Sequence, residues 1–540
     1  MNFSIIRIFI LLYIFSCSDL DKDKKIKRPN ILLIVADDLG YTDLGCFGSE
    51  INTPNIDVLS RKGVIFSNFY TSPLCAPTRA MLLSGNSNHI AGMGIQGFKS
   101  ELFGYEGQLT DRIMTMPSLL QKSGYHTYIA GKWHLGSEVN SNPINKGFEK
   151  SYVLLPGAGN HYSNRKVIKN YSDSSYSENG KRIKWEDGNY STDFYTDKII
   201  EYIKGNKDKN KPFFAFATYT SPHWPLQVNE KFSNKYRGIY DKGYDELKME
   251  RFNNLKRLKI IPSDALIPES HSRLTSWKDL SEQEKKIESK KMEIYAGMVE
   301  NLDFNVGRIL HFLKEINEYE NTLIIFMSDN GAAGEDFYNN PIYGPYLKKN
   351  FTVKYDDMGK ENSFISLGTG WAEASSAPFK YFKGFSTQGG IVSPIIMSGY
   401  GVNRKNEISN DFVTLLDIAP TFYEFASVNY PNQLEYPLLG VSLKKYLNGI
   451  EDQIHDDDYV FGFEHSGYAF IKKGNWKLVN YNSPFEIGNF KLYNVTTDIS
   501  ESRDLKINQI EKYHELLNEW KKFSNENQII IPTPYTDNIN

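Results

Sequence analysis

Few cysteines, no long hydrophobic run and little net charge mark this sequence, and each shortage excludes a class of protein. Its 540 residues include three cysteines, Cys17, Cys46 and Cys75, which are too few for a disulfide framework. The apolar stretch at residues 8–15 is too short to cross a bilayer, since a membrane-spanning helix needs about 20 apolar residues. The formal net charge of −3 comes from mixed charges, whereas nucleic-acid-binding proteins present a basic patch or stripe. We therefore expect a globular protein with a sizeable core and no nucleic-acid partner.

The N-terminal residues have the pattern of an export signal. Arg7 precedes the short apolar stretch, as a basic residue precedes the apolar region of a signal peptide. Residues 14–17, Ile-Phe-Ser-Cys, are similar to a bacterial lipobox, although Phe15 is larger than the residue usual there. The alternative is a plain secretory signal, and in both cases the protein leaves the cytoplasm for the periplasm or outer membrane of a bacterium. The predicted units are a lipoprotein signal peptide (1–17), a lipid on Cys17 as the membrane anchor, and a polar tether (18–28).

Short β-branched and aliphatic runs alternate with helical patterns along most of the chain. Continuous apolar runs are typical of strands covered on both faces, and their alternation with helices indicates a mostly parallel sheet. The clearest helix is predicted at residues 282–314, where Ser281 and Glu284 form a capping-box pattern. The predicted fold class is α/β, with a large, mostly parallel or mixed sheet flanked by helices. The predicted strands are residues 30–36, 126–130, 213–219, 323–328 and 393–397.

A different pattern begins near residue 421. Short alternating segments, separated by turn residues such as Gly474-Asn475, predict a small antiparallel sheet. A last helix is predicted at residues 509–523. We therefore predict a main domain over residues 29–420 and a smaller C-terminal α+β subdomain over residues 421–540. The predicted C-terminal strands are residues 459–464, 468–472, 476–481 and 491–493.

Two of the predicted strands end in polar pairs. The strand at 30–36 runs into Asp37-Asp38, and the strand at 323–328 runs into Asp329-Asn330. Ligands of open α/β sheets bind beyond the carboxyl ends of the strands, so the two pairs can converge on one cation. Three carboxylates and an amide oxygen are hard ligands, which favour Ca²⁺ or Mg²⁺ over zinc. Either pair alone can instead be a turn or a helix N-cap.

The run Cys75-Ala76-Pro77-Thr78-Arg79 precedes an apolar helical segment. Proline suits the first turn of a helix, so residue 75 is predicted at a helix N-terminus, where backbone N–H groups favour an anion. Arg79 adds a fork for an oxyanion, and a thiol in this setting is expected to be acidified. The alternative is a small buried cysteine beside a surface arginine.

Together with other motifs, this run resembles the signature of the type I sulfatases of the alkaline phosphatase superfamily. The run Cys75-x-Pro77-x-Arg79 is followed by Leu-Ser-Gly at residues 83–85, and the resemblance extends over about residues 29–505. The other matching segments, in the order of the family, are Gly-Lys-Trp-His-Leu-Gly at residues 131–136, Ser-Pro-His-Trp-Pro at 221–225, Phe-Lys-Gly at 382–384 and Asp-Ile-Ala-Pro-Thr at 417–421.

The resemblance implies a role for each matched residue. A maturation enzyme would convert Cys75 to formylglycine, whose hydrate attacks the sulfur of a sulfate ester. Arg79, Lys132 and Lys383 would neutralise the sulfate, His223 would act as general acid, with Lys132 as a further donor, and His134 would act as base. The implied ligands of a calcium ion, with magnesium as the weaker candidate, are Asp37, Asp38, residue 75, Asp329 and Asn330.

Some runs point to one branch of that family and one departs from it. Residues 88–92, 156–162 and 371–374 look more like the bacterial arylsulfatases than the glycosaminoglycan sulfatases, and His161 is a candidate pocket residue on that basis. Gln388 stands where the family often has glutamate. If that glutamate positions the lysine in the family, Lys383 lacks this partner here.

The resulting hypothesis is an arylsulfatase-like sulfuric ester hydrolase, with a sulfated small molecule or glycan as substrate. One alternative is a phosphonate monoester hydrolase or phosphodiesterase of the same superfamily, although such relatives tend to have histidine at the position of Asn330. The other is a non-catalytic surface lipoprotein that binds sulfated glycans.

Overall fold

A computed structural model describes residues 28–530 except 187, 207, 209, 210 and 483. The predicted signal peptide, Cys17 and almost all of the predicted tether lie outside the described residues. The described strands are β1 (Asn30–Ala36), β2 (Gly63–Tyr70), β3 (His126–Lys132), β4 (Lys150–Leu154), β5 (Tyr176–Glu178), β6 (Lys181–Ile183), β7 (Phe213–Thr218), β8 (Thr322–Ser328), β9 (Ile395–Gly399), β10 (Glu407–Thr414), β11 (Val460–His465), β12 (Tyr468–Lys473), β13 (Trp476–Asn480) and β14 (Lys491–Asn494).

The α-helices lie between and after these strands. The longest is the predicted helix, which begins at Glu282 and ends at Glu315, and its capping box between Ser281 and Glu284 is present. The described α-helices are α1 (Pro54–Arg61), α2 (Cys75–Ser84), α3 (Met116–Lys122), α4 (Ser191–Lys204), α5 (Glu230–Ser233), α6 (Tyr244–Arg257), α7 (Glu282–Glu315), α8 (Gly344–Asn350), α9 (Thr369–Ser375), α10 (Gln388–Ile391), α11 (Ile418–Phe425), α12 (Lys444–Leu447) and α13 (Ile510–Glu526).

Ten strands form one large sheet, in the order β10-β2-β9-β8-β1-β7-β3-β4-β5-β6. At its centre β1 pairs in parallel with β7 and β8, and β3 pairs in parallel with β7 and β4. The antiparallel pairs are those of β9 with β8 and β2, and of β5 with β4 and β6. The predicted α/β class with a large mixed sheet is therefore confirmed.

The central strands are buried along their whole length, as their continuous apolar sequences require. Every residue of β1, β7 and β8 is buried. The apolar stripe of α7 is also buried and packs near α1, α4 and α5. Because the middle strands are covered on both faces, their polar residues lie at the strand ends. Since β1, β3, β7 and β8 are parallel, their carboxyl ends lie at the same edge of the sheet.

A second sheet follows the first along the chain. Strands β11 to β14 are antiparallel neighbours in sequence order, and α13 packs on them through an apolar cluster that includes Leu478, Leu492, Leu516 and Trp520. This antiparallel sheet was predicted, and each strand lies within a residue or two of its expected position. Within the described ranges, no helix has both the length and the apolar character of a membrane span.

Candidate active site

The four polar residues at the ends of β1 and β8 meet at the edge of the sheet. The two strands pair in parallel and in register, with Ala36 opposite Ser328, so the residues that follow them are brought side by side. The Asp38 backbone N–H lies 3.3 Å from Asp329 Oδ1, and Asn330 Nδ2 donates to Asp38 Oδ1 at 2.7 Å. All four side chains are buried.

The chemistry of this set fits a hard divalent cation. Asn330 Oδ1 is buried and has no hydrogen-bond partner among the described residues, which is costly unless something binds it. Ligand atoms of Asp37, Cys75 and Asp329 lie within 4.8 Å of one another. Burial raises the pKa of Asp37 to about 8, with Lys132 opposing and the neighbouring Asp329 and Asp38 adding to the rise. A cation among these oxygens would reduce their repulsion.

Asp38 has a strained backbone. Its φ angle is +63°, in the left-handed region that a side chain with a Cβ rarely adopts. The turn directs the carboxylate back toward Asn330, Lys383 and His223, which lie 2.7, 2.7 and 3.4 Å from it. Strain of this kind is typical of functional sites, where the surrounding contacts hold it.

Three basic side chains each pair with a different buried aspartate. Arg79 donates to Asp329 Oδ2 through Nε (3.0 Å) and Nη2 (2.8 Å). Lys132 Nζ lies 2.8 and 2.9 Å from the Asp37 oxygens. Lys383 Nζ lies 2.7 Å from Asp38 Oδ2. Burial opposes the charge of Lys383, but Asp38 and the other nearby acidic groups raise its pKa well above the usual value, so the side chain stays protonated.

Residue 75 begins helix α2, as predicted. The helix starts at Cys75, after Leu74, and ends at Ser84; the next residue, Gly85, has a φ of +67° in the left-handed region. Cys75 is 1% exposed, and its thiol is free, as is that of Cys46. The basic residues around it are Arg79 of the same helix, together with Lys132 and Lys383.

The expected acidity of this thiol is wrong. Burial raises the pKa of Cys75 and outweighs the opposing effect of Lys132 and Lys383, while Asp37 and Asp329 add to the rise. A helix N-terminus and nearby cations lower a thiol pKa only where the thiolate is adequately solvated or paired. The thiol form of residue 75 is therefore a poor nucleophile in this environment.

His134 leaves strand β3 in a strained turn beside the site. Its φ is +59°, and its buried Nδ1 has no hydrogen-bond partner in the described part of the chain. Burial lowers its pKa well below the usual value, and Lys132 and Arg79 lower it further. The ring is therefore neutral, and one of its nitrogens carries a lone pair. Gly157 packs so closely that an added Cβ would lie 2.5 Å from the ring Cε1.

His223 follows strand β7 and points its ring at Asp38. Its Nδ1 donates to the Trp224 carbonyl at 2.7 Å, because a carbonyl oxygen can only accept. Nε2 is therefore the nitrogen directed at the site, 3.4 Å from Asp38 Oδ2. Burial, followed by Lys383 and Lys132, lowers the pKa of this histidine well below its usual value.

His161, the candidate pocket residue, is held by protein groups next to His223. It is 1% exposed, its Nε2 donates to the His223 carbonyl at 3.2 Å, and its Nδ1 lies 2.7 Å from Ser191 Oγ. Both ring nitrogens are thus engaged by protein groups. His161 supports the backbone of His223 from behind.

The side chain of Gln388 contacts residues other than Lys383. Its side chain accepts from the Tyr70 hydroxyl at 2.5 Å, and its backbone N–H donates to Glu501 at 2.7 Å. Lys383 is held instead by Asp38 and by its own backbone N–H, which donates to the Ala332 carbonyl at 3.1 Å.

Sequence reasoning missed three residues next to the site. Thr218, at the end of β7, hydrogen-bonds Arg79. Glu335 lies near Lys383 with its Oε2 buried and unpartnered among the described residues, and burial raises its pKa. Gln96 lies beside Cys75. Thr218 could have been noticed near the end of the strand predicted at residues 213–219, but the sequence gives no local signal for the other two.

Known proteins are similar to this chain in sequence and in fold. A family model described as Sulfatase matches residues 29–428. The chain is 37% identical to an uncharacterised sulfatase of Schizosaccharomyces pombe, over 94% of this chain and 96% of the relative. It is also 37% identical to an arylsulfatase of Klebsiella aerogenes, over 77% of this chain and 91% of the relative. Among solved structures, Ps i-CgsB in complex with a k-i-k-neocarrahexaose superposes with a TM-score of 0.68 at 25% identity, covering 95% of both chains.

The fold, with a buried acidic cluster at the strand ends and basic side chains around it, is that of the alkaline phosphatase-like hydrolases. Within that class, the chain belongs to the sulfatase family, whose members hydrolyse sulfate esters.

Proposed function

We propose that this sulfatase acts through a formylglycine made from Cys75 and holds a calcium ion with Asp37, Asp38, Asp329, Asn330 and residue 75. The observation that carries the proposal is the place of residue 75. It begins a buried helix among three basic side chains, and its ligand atom lies within 4.8 Å of those of Asp37 and Asp329.

Charge balance supports the cation. When all three aspartates are ionised, as the ligands of a cation must be, their charges cancel those of their partners Arg79, Lys132 and Lys383. A sulfate ester is an anion, so a site whose six main charges sum to zero attracts it weakly, and Glu335 can only add negative charge. A bound calcium ion would give the site a net positive charge and would lower the pKa of a hydroxyl on residue 75.

The modification answers the problem that the buried thiol poses. Hydrated formylglycine supplies one hydroxyl to attack sulfur and a second whose deprotonation releases sulfate, which a serine or cysteine side chain cannot supply. His134 is the candidate base for that proton, because its ring is neutral and its buried Nδ1 has no hydrogen-bond partner among the described residues.

The remaining residues bind the sulfate and protonate the leaving alcohol. Arg79, Lys132 and Lys383 are fixed by their aspartate partners, so their charge needs no reorganisation when the anion enters. His223 presents Nε2 to the site. Nδ1 keeps its proton for the Trp224 carbonyl, so a second proton on Nε2 makes the ring a cation. Because the pKa of His223 is lowered, this cation is a strong acid that gives its proton readily to the leaving oxygen. Lys132 is the second proton donor in this scheme.

The names of two relatives support the proposed substrate class. One is called an arylsulfatase, and the fold neighbour Ps i-CgsB was crystallised with a carrahexaose. We propose that aryl sulfates are turned over and that a sulfated polysaccharide, or oligosaccharides from it, is the natural substrate. Export, with a lipid on Cys17 as anchor, belongs to the same proposal. So does the division into a catalytic domain over residues 29–420 and a C-terminal subdomain over residues 421–540.

Production with and without a formylglycine-generating enzyme tests the proposal. The peptide that contains residue 75 should lose the mass difference between a thiol and an aldehyde only when that enzyme is present. Hydrolysis of an aryl sulfate should appear in the same sample, and Cys75→Ala should abolish it without lowering the melting temperature. The rates of hydrolysis of sulfated monosaccharides and polysaccharides are then compared with that of a phosphodiester. Faster turnover of the phosphodiester, or full activity of Cys75→Ala, would contradict the proposal.

A further inference from the structure

A loop between α2 and α3 brings Gln96 to the start of helix α2. Gln96 Oε1 accepts the Ala76 backbone N–H at 3.2 Å and lies 3.9 Å from Cys75 Sγ. The N-cap residue of this helix, Leu74, makes no side-chain capping bond. Gln96 therefore supplies from a distant loop the acceptor that a cap residue usually supplies, and it contacts the reacting residue directly.

The C-terminal sheet holds this loop in place. The Gln96 backbone N–H donates to His465 Nε2 at 2.8 Å. In the same loop, Asn88 Nδ2 donates to the Glu464 carbonyl at 3.0 Å, and His89 Nε2 lies 2.9 Å from the Glu464 carboxylate. Glu464 and His465 are the last two residues of β11. These two residues and their partners Asn88 and His89 are buried.

The state of His465 suits this contact. An imidazole nitrogen that accepts a hydrogen bond carries no proton, so the neutral ring must be protonated on Nδ1. Burial lowers the pKa of His465 to about 4, with Glu464 opposing and His89 adding to the effect. The ring therefore stays neutral at pH values well above this and keeps its lone pair for the Gln96 N–H.

We propose that Gln96 is a catalytic residue that orients the hydroxyl groups of residue 75, and that His465 is the positioning residue that holds it there. This inference rests on the proposed function, because Gln96 Oε1 lies where it can accept a hydrogen bond from a hydroxyl on residue 75. No proton is transferred, since an amide oxygen is too weak a base. The amide fixes which hydroxyl faces the sulfur. The C-terminal subdomain thereby takes part in the active site.

Steady-state kinetics on one aryl sulfate test the inference in matured protein, with the conversion of residue 75 measured by mass for each variant. Gln96→Ala should lower kcat by about tenfold with little change in KM, as expected for one lost hydrogen bond that orients the nucleophile. His465→Leu should give a similar loss, and His465→Asn, which can still accept, should restore part of it. Gln283→Ala, at an exposed position in the first turn of α7, is the matched control.

Gln96→Glu separates this role from a merely structural one. Its carboxylate repels an anionic substrate, whereas its protonated form keeps a carbonyl acceptor of the same size. Its activity relative to the parent should therefore rise as the pH falls, and it replaces Gln96→Ala if that variant fails to fold. A kcat for Gln96→Ala within about twofold of an active parent, or an unchanged pH profile for Gln96→Glu, would overturn the role of Gln96 alone. An inactive parent with residue 75 fully converted would overturn the proposed function and this inference with it.

Discussion

His161 should make the stability of the protein fall in mildly acidic solution. Its ring is buried between Ser191 and the His223 carbonyl, with Tyr190 stacked against it. Burial lowers its pKa to about 4, and the hydrogen bond to His223 only partly opposes this. The unfolded chain has no such environment, so the same histidine has a pKa of about 6.5 there.

The sign and size of the effect follow from this difference. Between about pH 6.5 and 4 the unfolded chain binds a proton that the folded chain does not, so acid favours unfolding. The contribution is fully present above the unfolded pKa and is lost as the pH falls toward the folded pKa. The complete shift amounts to about 3 kcal/mol. For a chain of 540 residues, that is about 3 °C in the melting temperature.

Thermal unfolding of His161→Gln against pH measures this contribution. Glutamine has an amide donor for the His223 carbonyl and does not titrate, so the melting temperature of the variant should fall about 3 °C less than that of the parent over this pH range. His311→Gln is the control, since the side chain of His311 is 74% exposed. Parallel curves for His161→Gln and the parent would refute the reasoning.

Three further predictions concern the site itself. Removal of calcium with a chelator should abolish sulfate ester hydrolysis, and unchanged activity in the presence of the chelator would contradict this. Asn330→Ala should raise the calcium concentration for half-maximal activity by about tenfold or more. Arg79→Lys should lower kcat/KM by about 100-fold, because lysine cannot reproduce the two hydrogen bonds to Asp329, and wild-type kinetics would count against it. Gly157→Ala should lower kcat by about tenfold by displacing His134, whereas Gly159→Ala, whose nearest neighbour is Leu154 at 3.0 Å, should not.

The sheet was predictable where strands carry their own signal. Strand β1 begins and ends at the predicted residues, because an apolar run buried on both faces has sharp polar limits. Strand β2 was missed, although all but one of its eight residues are buried. Strand β2 pairs with β9 and β10, which lie more than 300 residues further along the chain. No local sequence pattern predicts pairing between segments so far apart.

The candidate site divides along the same line. The polar pairs at two strand ends were predicted to converge, because the topology of a parallel sheet brings such positions together, whereas residue 75 joined them only through the family resemblance. Gln96 was missed because its contacts depend on how a loop packs against β11, whose His465 lies 369 residues further along the chain. The acidity of Cys75 was misjudged for a related reason, since burial is a property of the tertiary structure.

Burial also decides how variants of the basic residues must be interpreted. Lys383 and its partner Asp38 are 5% and 1% exposed, so Lys383→Ala leaves a buried carboxylate without its partner, which typically costs about 3–5 kcal/mol. Lost activity in such a variant could then reflect unfolding rather than lost sulfate binding. Calcium separates the two causes, because a bound cation can compensate Asp38 and restore the melting temperature without replacing the lysine charge that faces the substrate. A calcium-loaded Lys383→Ala protein that melts like the parent but turns over sulfate esters slowly would assign Lys383 to anion binding.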